Sequence, residues 1–278
     1  TVFYNVENLF DTIDYPGKND TEFLPEGKKK WNTNKYNRKI LQLTKVFSSI
    51  NHKLSPDIIG LCEIENKMVI TDLLLQDFFK KSNYQIIHKD SPDNRGIDCA
   101  LLFNKKCKLL KYDFIEVKLE NATRATRDIV YAKLEINNEI IHFFVNHWPS
   151  RWGGKEKTEI KRIGTAKILR NYIDDHIQNK NERIVIMGDF NDYPSDLSLL
   201  KELKAKNKIS KGNKKLFNLM SNLESANTGS YNYKGEWGFL DQFIVSSNLL
   251  NNSNGCKIKA YGVFKEDWLL HERSGEFY

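Results

Sequence analysis

Four short apolar runs in this chain each end in side chains that can bind a cation, move a proton or contact a phosphate. The most informative is IVIMGDFNDYP at residues 184–194, where an apolar run leads into Gly188, Asp189, Phe190 and Asn191. Such a run reads as a buried strand, and alternation along an extended chain sends Asp189 and Asn191 to the same side. A carboxylate positions water or holds a cation, and a carboxamide both donates and accepts, so the pair suits charge developing on a phosphate oxygen. The same residue types also suit an ordinary turn. The other runs are YNVENLF at residues 4–10, IIGLCEIEN at 58–66 and IHFFVNHWPSR at 141–151. They supply Asn5, then Glu63 with Glu65, then Asn146 and His147. Strands that finish in Asn, Glu, His and Asp look like one site.

An imidazole exchanges protons near neutral pH, which suits His147 to protonate a leaving oxygen or contact a phosphate. His52, His88, His142, His176 and His271 lack that context and read as structural or surface residues. Glu65 reads as an exposed carboxylate. Arg127 and Arg151 are candidate phosphate contacts because a guanidinium fork matches phosphate oxygens, with pairing to a carboxylate as the alternative. Trp152, Trp237 and Tyr233 either flank a groove and stack on bases or belong to the core.

The elements that must position these residues follow from periodicity. Residues 36–50 place Ile40, Leu41, Leu43, Val46, Phe47 and Ile50 on a helical period, 68–80 read as a second helix, and 155–178 as a long one. The long helix is expected to bury Ile160, Ile163, Ala166, Ile168, Leu169, Tyr172 and Ile173, and a short helix is expected at 197–203. Strands are expected at 57–62, 84–88, 98–103, 108–117 and 129–136, besides those that end in the candidate residues. Residues 11–33 contain Pro16, Gly17, Pro25 and Gly27 and read as a long loop bordering a substrate groove. Its Asp11, Asp14, Asp20 and Glu22 do not have EF-hand spacing and read as surface carboxylates. Alternating strands and helices, interrupted by a strand-rich stretch, imply an α/β architecture with more than one sheet.

Composition narrows the partners. The chain of 278 residues is 40% apolar and 12% aromatic, enough for a substantial core, and no apolar run approaches the ~18 residues that span a bilayer. A soluble protein, read as a monomer, is expected. No signal peptide is recognisable, although the chain opens inside a strand without an initiator Met, which leaves room for a removed leader and a secreted or periplasmic location. Cys62, Cys99, Cys107 and Cys256 show neither a C-x-x-C spacing nor a zinc pattern with the histidines, so no disulfide framework and no structural zinc are expected. The formal charge of +7 favours polyanions such as nucleic acid or anionic lipid. Part of that charge is a run of seven lysines within residues 201–215, which also suits a solvated surface.

With these segments in hand, the chain resembles the endonuclease/exonuclease/phosphatase family of metal-dependent phosphoesterases. RGIDCALLF at 95–103, TRATRDIVYAKL at 123–134 and GEWGFLDQFIVS at 235–246 add to the four strand ends, in order and spacing. The resemblance implies a deoxyribonuclease-like α/β four-layer sandwich of two packed mixed β-sheets flanked by helices. It further implies Mg²⁺ as cofactor, with Mn²⁺ able to substitute. Glu63 falls where the family places its principal metal ligand, and Asn5 falls beside metal and phosphate. Asp189 matches the residue that orients the attacking water, Asn191 the one that stabilises the pentacoordinate phosphorus, and Asp241 the aspartate that holds a second histidine. His147 matches the family's histidine. The Ser-Asp-His strand on which such proteins end is not found before Tyr278, so the chain reads as a single domain over 1–278 lacking that strand, a piece or processed form of a longer protein. A nuclease acting on DNA or RNA is the leading expectation. The alternatives are a phosphatase of soluble phosphate esters, a lipid phosphodiesterase, or a phosphate-binding module without turnover.

Overall fold

The computed structural model describes residues 1–278 except 52–53, 121–123, 180–181, 209–214, 224–227, 234, 252–254, 271, 274–275 and 278. His52 and His271 therefore lie outside the described residues, as do parts of the lysine run at 201–215. The chain divides into two compact units, Thr1–Ile136 with Phe144–His147, and Asn137–Phe143 with Trp148–Tyr278. The architecture is α/β, with mixed β-sheets flanked by helices, as the sequence implies.

In the first unit, β1 (Val2–Leu9) pairs in parallel with β2 (Ile58–Ile64), which pairs antiparallel with β4 (Asp98–Phe103), and β3 (Gln85–His88) closes the edge. Every residue of β4 is buried, which is why its sequence is an almost unbroken apolar run rather than an alternating one. Helix α1 (Thr33–Ile50) buries Tyr36, Ile40, Leu43, Val46 and Phe47, the i, i+3, i+4 stripe of an amphipathic helix. Leu41, expected on that stripe, is 60% exposed. The second helix breaks in two, α2 (Lys67–Leu74) and α3 (Asp77–Lys80), because Gln76 takes extended backbone at φ −67° and ψ 144°. β5 (Lys108–Ile115) and β6 (Ile129–Ile136) form an antiparallel pair, and β6 packs on β4.

Strand β7 (Glu139–His147) contributes its start to the second unit and its end to the first. In the second unit, α4 (Lys155–His176) precedes β8 (Arg183–Asp189), and the strand order is β8–β13–β10–β9. These are β9 (Ala205–Lys206), β10 (Leu216–Asn218) and β13 (Asp241–Ser246), with β11 (Tyr231–Tyr233) and β12 (Glu236–Gly238) as a separate hairpin. The buried face of α4 departs from the expected apolar one. Ala166, Leu169 and Ile173 are inside, but Ile160 is 70% exposed while Thr158, Arg162, Thr165 and Arg170 are buried. A helix that seats an arginine against a buried carboxylate does not show an apolar stripe in its sequence. The short helix expected at 197–203 is a π-helical turn, Ser198–Glu202. Cys62 and Cys99 are buried in strands as expected. Among the described residues no helix is long and apolar enough to cross a membrane.

Candidate active site

The first unit gathers Asn5, Glu63, Arg127 and His147. β1 and β2 both lose regular register near their ends, between Asn5 and Leu9 on one and around Glu63 on the other. Glu63 has a φ of +64°, with Glu7 and Asn8 at +54° and +61°. Left-handed backbone at a glutamate costs roughly 1–3 kcal/mol and recurs where function over-determines the geometry, and a bulge re-aims a side chain at a strand end. The re-aimed Glu63 Oε1 accepts a hydrogen bond from Asn5 Nδ2 at 3.2 Å and lies 3.8 Å from His147 Nε2. Asn5 Oδ1 accepts from the Glu7 amide at 2.9 Å, so Asn5 is a tether for the carboxylate.

His147 is buried, and burial first, then the charges of Arg127 and Arg95, hold its imidazole well below its ordinary pKa. Its carbonyl accepts from Arg127 Nε at 3.2 Å, and Arg127 Nη1 donates to Asp93 Oδ2 at 3.0 Å. Arg95 also donates to Asp93. Burial pushes the Asp93 carboxyl up, but the Arg95 hydrogen bond and the Arg127 charge outweigh it and hold the group below the ordinary range. Of the two roles open to Arg127, the structure shows the carboxylate pair.

The second unit gathers Asp189, Asn191, Arg151 and Asp241. The strand stops at Asp189 and Asn191 is left-handed at φ +52°, so the two side chains do not alternate along one strand as the sequence implies. They meet through a turn in which Asp189 Oδ1 accepts the Asn191 amide at 2.9 Å. This is the local side-chain hydrogen bond that makes Asp and Asn turn formers. Asn191 Nδ2 donates to the Trp148 carbonyl at 3.1 Å, while the Trp148 amide donates to the Asp189 carbonyl at 2.9 Å. Asp241 stands opposite Asp189 in the β8–β13 ladder, its amide donating to Ser230 Oγ. Arg151 Nε donates to the Asn191 carbonyl at 2.6 Å, and its guanidinium pairs with Asp196 at 3.2 Å and lies over the Tyr193 ring.

Several expectations need correction. Glu65 is buried rather than exposed, with Oε2 accepting from the Asp11 amide at 2.7 Å. Burial first, then the charges of Asp11 and Asp20, push it up to about 8 even against that hydrogen bond. Asp11 and Asp20 are themselves buried, pinning residues 11–33 through Tyr15 and Asn66; Asp14 and Glu22 are exposed as expected. Trp152 and Tyr233 are not core residues, and Trp152 is 87% exposed.

Sequence reading missed Asp93 and the pair Arg162–Asp192. The latter are fully buried, 2.7 Å apart, with Ser198 Oγ donating to Asp192 at 2.6 Å and Gln242 to its carbonyl. They brace the turn that carries Asn191. A lone arginine on a helix and a carboxylate in a turn carry no local mark of a partner distant in sequence.

The donor chemistry fits a hard divalent cation at Glu63. A half-buried carboxylate, held by an amide donor on one oxygen and facing a neutral imidazole, offers the oxygen ligand that Mg²⁺ prefers. Asn5 Oδ1, which accepts the Glu7 amide, keeps a second lone pair with which it could join it.

The sequence profile of the endonuclease/exonuclease/phosphatase family matches residues 1–278. No curated protein sequence matches the chain. Among solved structures, a humanized D. rerio TDP2 with 14 mutations is similar at 12% identity and a TM-score of 0.59, covering 88% of this chain and 82% of that one. D. rerio TDP2 complexed with a single-strand DNA product gives 13% identity and 0.51, covering 76% of each. A mannosyl-6-phosphatase of Bacteroides thetaiotaomicron gives 13% identity and 0.56, covering 88% and 84%. At such identities these structures share the fold, while the match over the whole length decides membership. This chain belongs to the endonuclease/exonuclease/phosphatase family, whose members are hydrolytic phosphoesterases.

Proposed function

We propose that the chain is a Mg²⁺-dependent nuclease that cleaves phosphodiester bonds of DNA or RNA by direct attack of water. Glu63 holds the ion and Asn5 fixes Glu63. When bound, the ion supplies Lewis-acid polarisation of a phosphate oxygen. Asp189, steered by the Asn191 amide, orients the water and takes its proton as the new P–O bond forms. The Asn191 carboxamide, one of whose N–H bonds rests on Trp148, donates the other to an equatorial oxygen. His147, held neutral by its burial, contacts the phosphate by donating a hydrogen bond from its ring, positioned through its carbonyl by Arg127, while the departing oxygen takes a proton from solvent as the old P–O bond breaks. Arg151 binds phosphate, and Asp241 supports the histidine chemistry as the family resemblance implies.

The observation that favours a polynucleotide over a small phosphate is a cleft of about 310 Å³ in the first unit. It is lined by Lys29, Lys35, Arg38 and Lys39 together with Phe23 and Trp31, and by Glu7 and Asn8 at the end of the strand that carries Asn5. Burial lowers the Lys39 ammonium pKa against the charges of Glu7 and Glu63, so the cleft and Glu63 share one field. Clustered cations that can track a phosphate backbone are the electrostatic requirement of single-strand binding. The similarity to TDP2 solved with a DNA product is in keeping with this reading.

The test is a substrate panel of single-stranded DNA, RNA, phosphoinositides and sugar phosphates, each with Mg²⁺ and with EDTA. Cleavage of a polynucleotide that EDTA stops is expected. Turnover confined to sugar phosphates or lipids would replace the nuclease with a phosphatase or a lipid phosphodiesterase. Salt-sensitive binding without turnover would leave a phosphate-binding module.

A further inference from the structure

His88 ends β3 and Asp98 begins β4, the neighbouring antiparallel strands joined by residues 89–97. Both side chains are buried, 3% and 1% exposed, and His88 Nε2 and Asp98 Oδ2 stand 3.4 Å apart. Among the described residues neither atom has a hydrogen-bond partner. A buried polar atom left without a hydrogen bond costs about 1–3 kcal/mol. Asp98 is not free to turn away, because its Oδ1 accepts the Ser91 amide at 2.8 Å. Lys89, the adjacent ammonium, is engaged by Asp128 at 2.9 Å. A third group faces the pair: the exposed carboxylate of Asp90 places an oxygen within 4.8 Å of both ligand atoms.

From this arrangement we propose that His88, Asp90 and Asp98 form a second divalent-cation site, built from ligands other than Glu63 and selective for Zn²⁺. Zinc takes histidine nitrogen and aspartate oxygen at about 2.0–2.2 Å in tetrahedral array, which puts neighbouring donors about 3.4 Å apart. That is the His88–Asp98 separation. An imidazole ligand selects against Mg²⁺ and Ca²⁺, which prefer all-oxygen shells. The Ser91 amide supplies the outer hydrogen bond that orients a ligating carboxylate. The site sits at the base of the loop that carries Asp93 and Arg95, so a bound ion would clamp the loop whose tip holds Arg127. Sequence spacing does not reveal the site, since two of its ligands are brought together only by the β3–β4 ladder.

The test is calorimetric titration of Zn²⁺ into the metal-stripped full chain under excess Mg²⁺, with Co²⁺ as an optical probe. Wild type and Glu63→Gln are expected to bind one ion at this site and to show the visible absorption of tetrahedral Co²⁺. His88→Gln should abolish both signals. Asp90→Asn, which changes an exposed side chain and leaves the core intact, should weaken Zn²⁺ binding by at least roughly tenfold. Equal Zn²⁺ binding in wild type, Asp90→Asn and His88→Gln would overturn the proposal, as would an absence of binding in wild type, which would mean that the buried pair is satisfied by water.

Discussion

Glu63 Oε1 stands 3.8 Å from His147 Nε2 while the same oxygen receives a hydrogen bond from Asn5. The carboxylate is thus held by an amide on a strand bulge, through which Asn5 would act on the metal requirement of the proposed reaction. Asn5→Ala should raise the Mg²⁺ concentration needed for half-maximal hydrolysis by roughly 10–100-fold, the usual effect of losing a group that orients a ligand. An unchanged Mg²⁺ dependence at reduced turnover would instead assign Asn5 to direct phosphate contact.

Arg127 and Asp93 form a buried ion pair at 3.0 Å. Breaking such a pair from one side leaves a buried charge, so Arg127→Ala should destabilise the fold by about 3–5 kcal/mol in urea unfolding. Asp93 is held below its ordinary pKa of 3.8. Its contribution to stability is therefore complete above that value and is lost as pH falls through the lowered native one. Below about pH 4, in the range of unfolded carboxylates, wild type should lose stability more steeply than Asp93→Asn. Parallel acid limbs would sink this assignment.

Arg162 and Asp192 brace the Asn191 turn from α4. Arg162→Met or Asp192→Leu alone should cost about 3–5 kcal/mol, whereas the two together should cost much less, because no charge is then stranded. Thermal melts of the two singles and the double complete the cycle. Additive losses would mean that the pair is not coupled.

The basic cleft makes a separate prediction. Arg38→Glu and Lys35→Glu should each raise the KM for single-stranded DNA and flatten its dependence on salt by about one unit of slope. Hydrolysis of a small chromogenic phosphodiester should be unaffected. An equal loss on both substrates would remove the cleft from polynucleotide binding.

Strand ends were the legible part of this protein. A strand buried on both faces, such as β4, or ending in Gly188–Asp189, advertises itself by an unbroken apolar run. Asn5, Glu63, His147 and Asp189 were legible for the same reason, as polar residues at the ends of such runs. What the sequence concealed depends on contacts between distant segments. Ile160 lies outside and Arg162 inside because the partner of α4 is Asp192, not an apolar surface. Glu65 reads as exposed until residues 11–33 fold over it and Asp11 donates its amide. Asp189 and Asn191 converge by a turn rather than by alternation, since the left-handed backbone at Asn191 ends the strand early.

The most direct test is the rate of single-stranded DNA cleavage as a function of Mg²⁺ for wild type, Glu63→Gln and Asp189→Ala. Asp189→Ala should lower the maximal rate by about 10²–10⁴-fold, the scale of a lost proton acceptor. Glu63→Gln should need far more Mg²⁺ to reach any given rate. Equal Mg²⁺ dependence in wild type and Glu63→Gln, with Asp189→Ala still active, would contradict the proposed reaction.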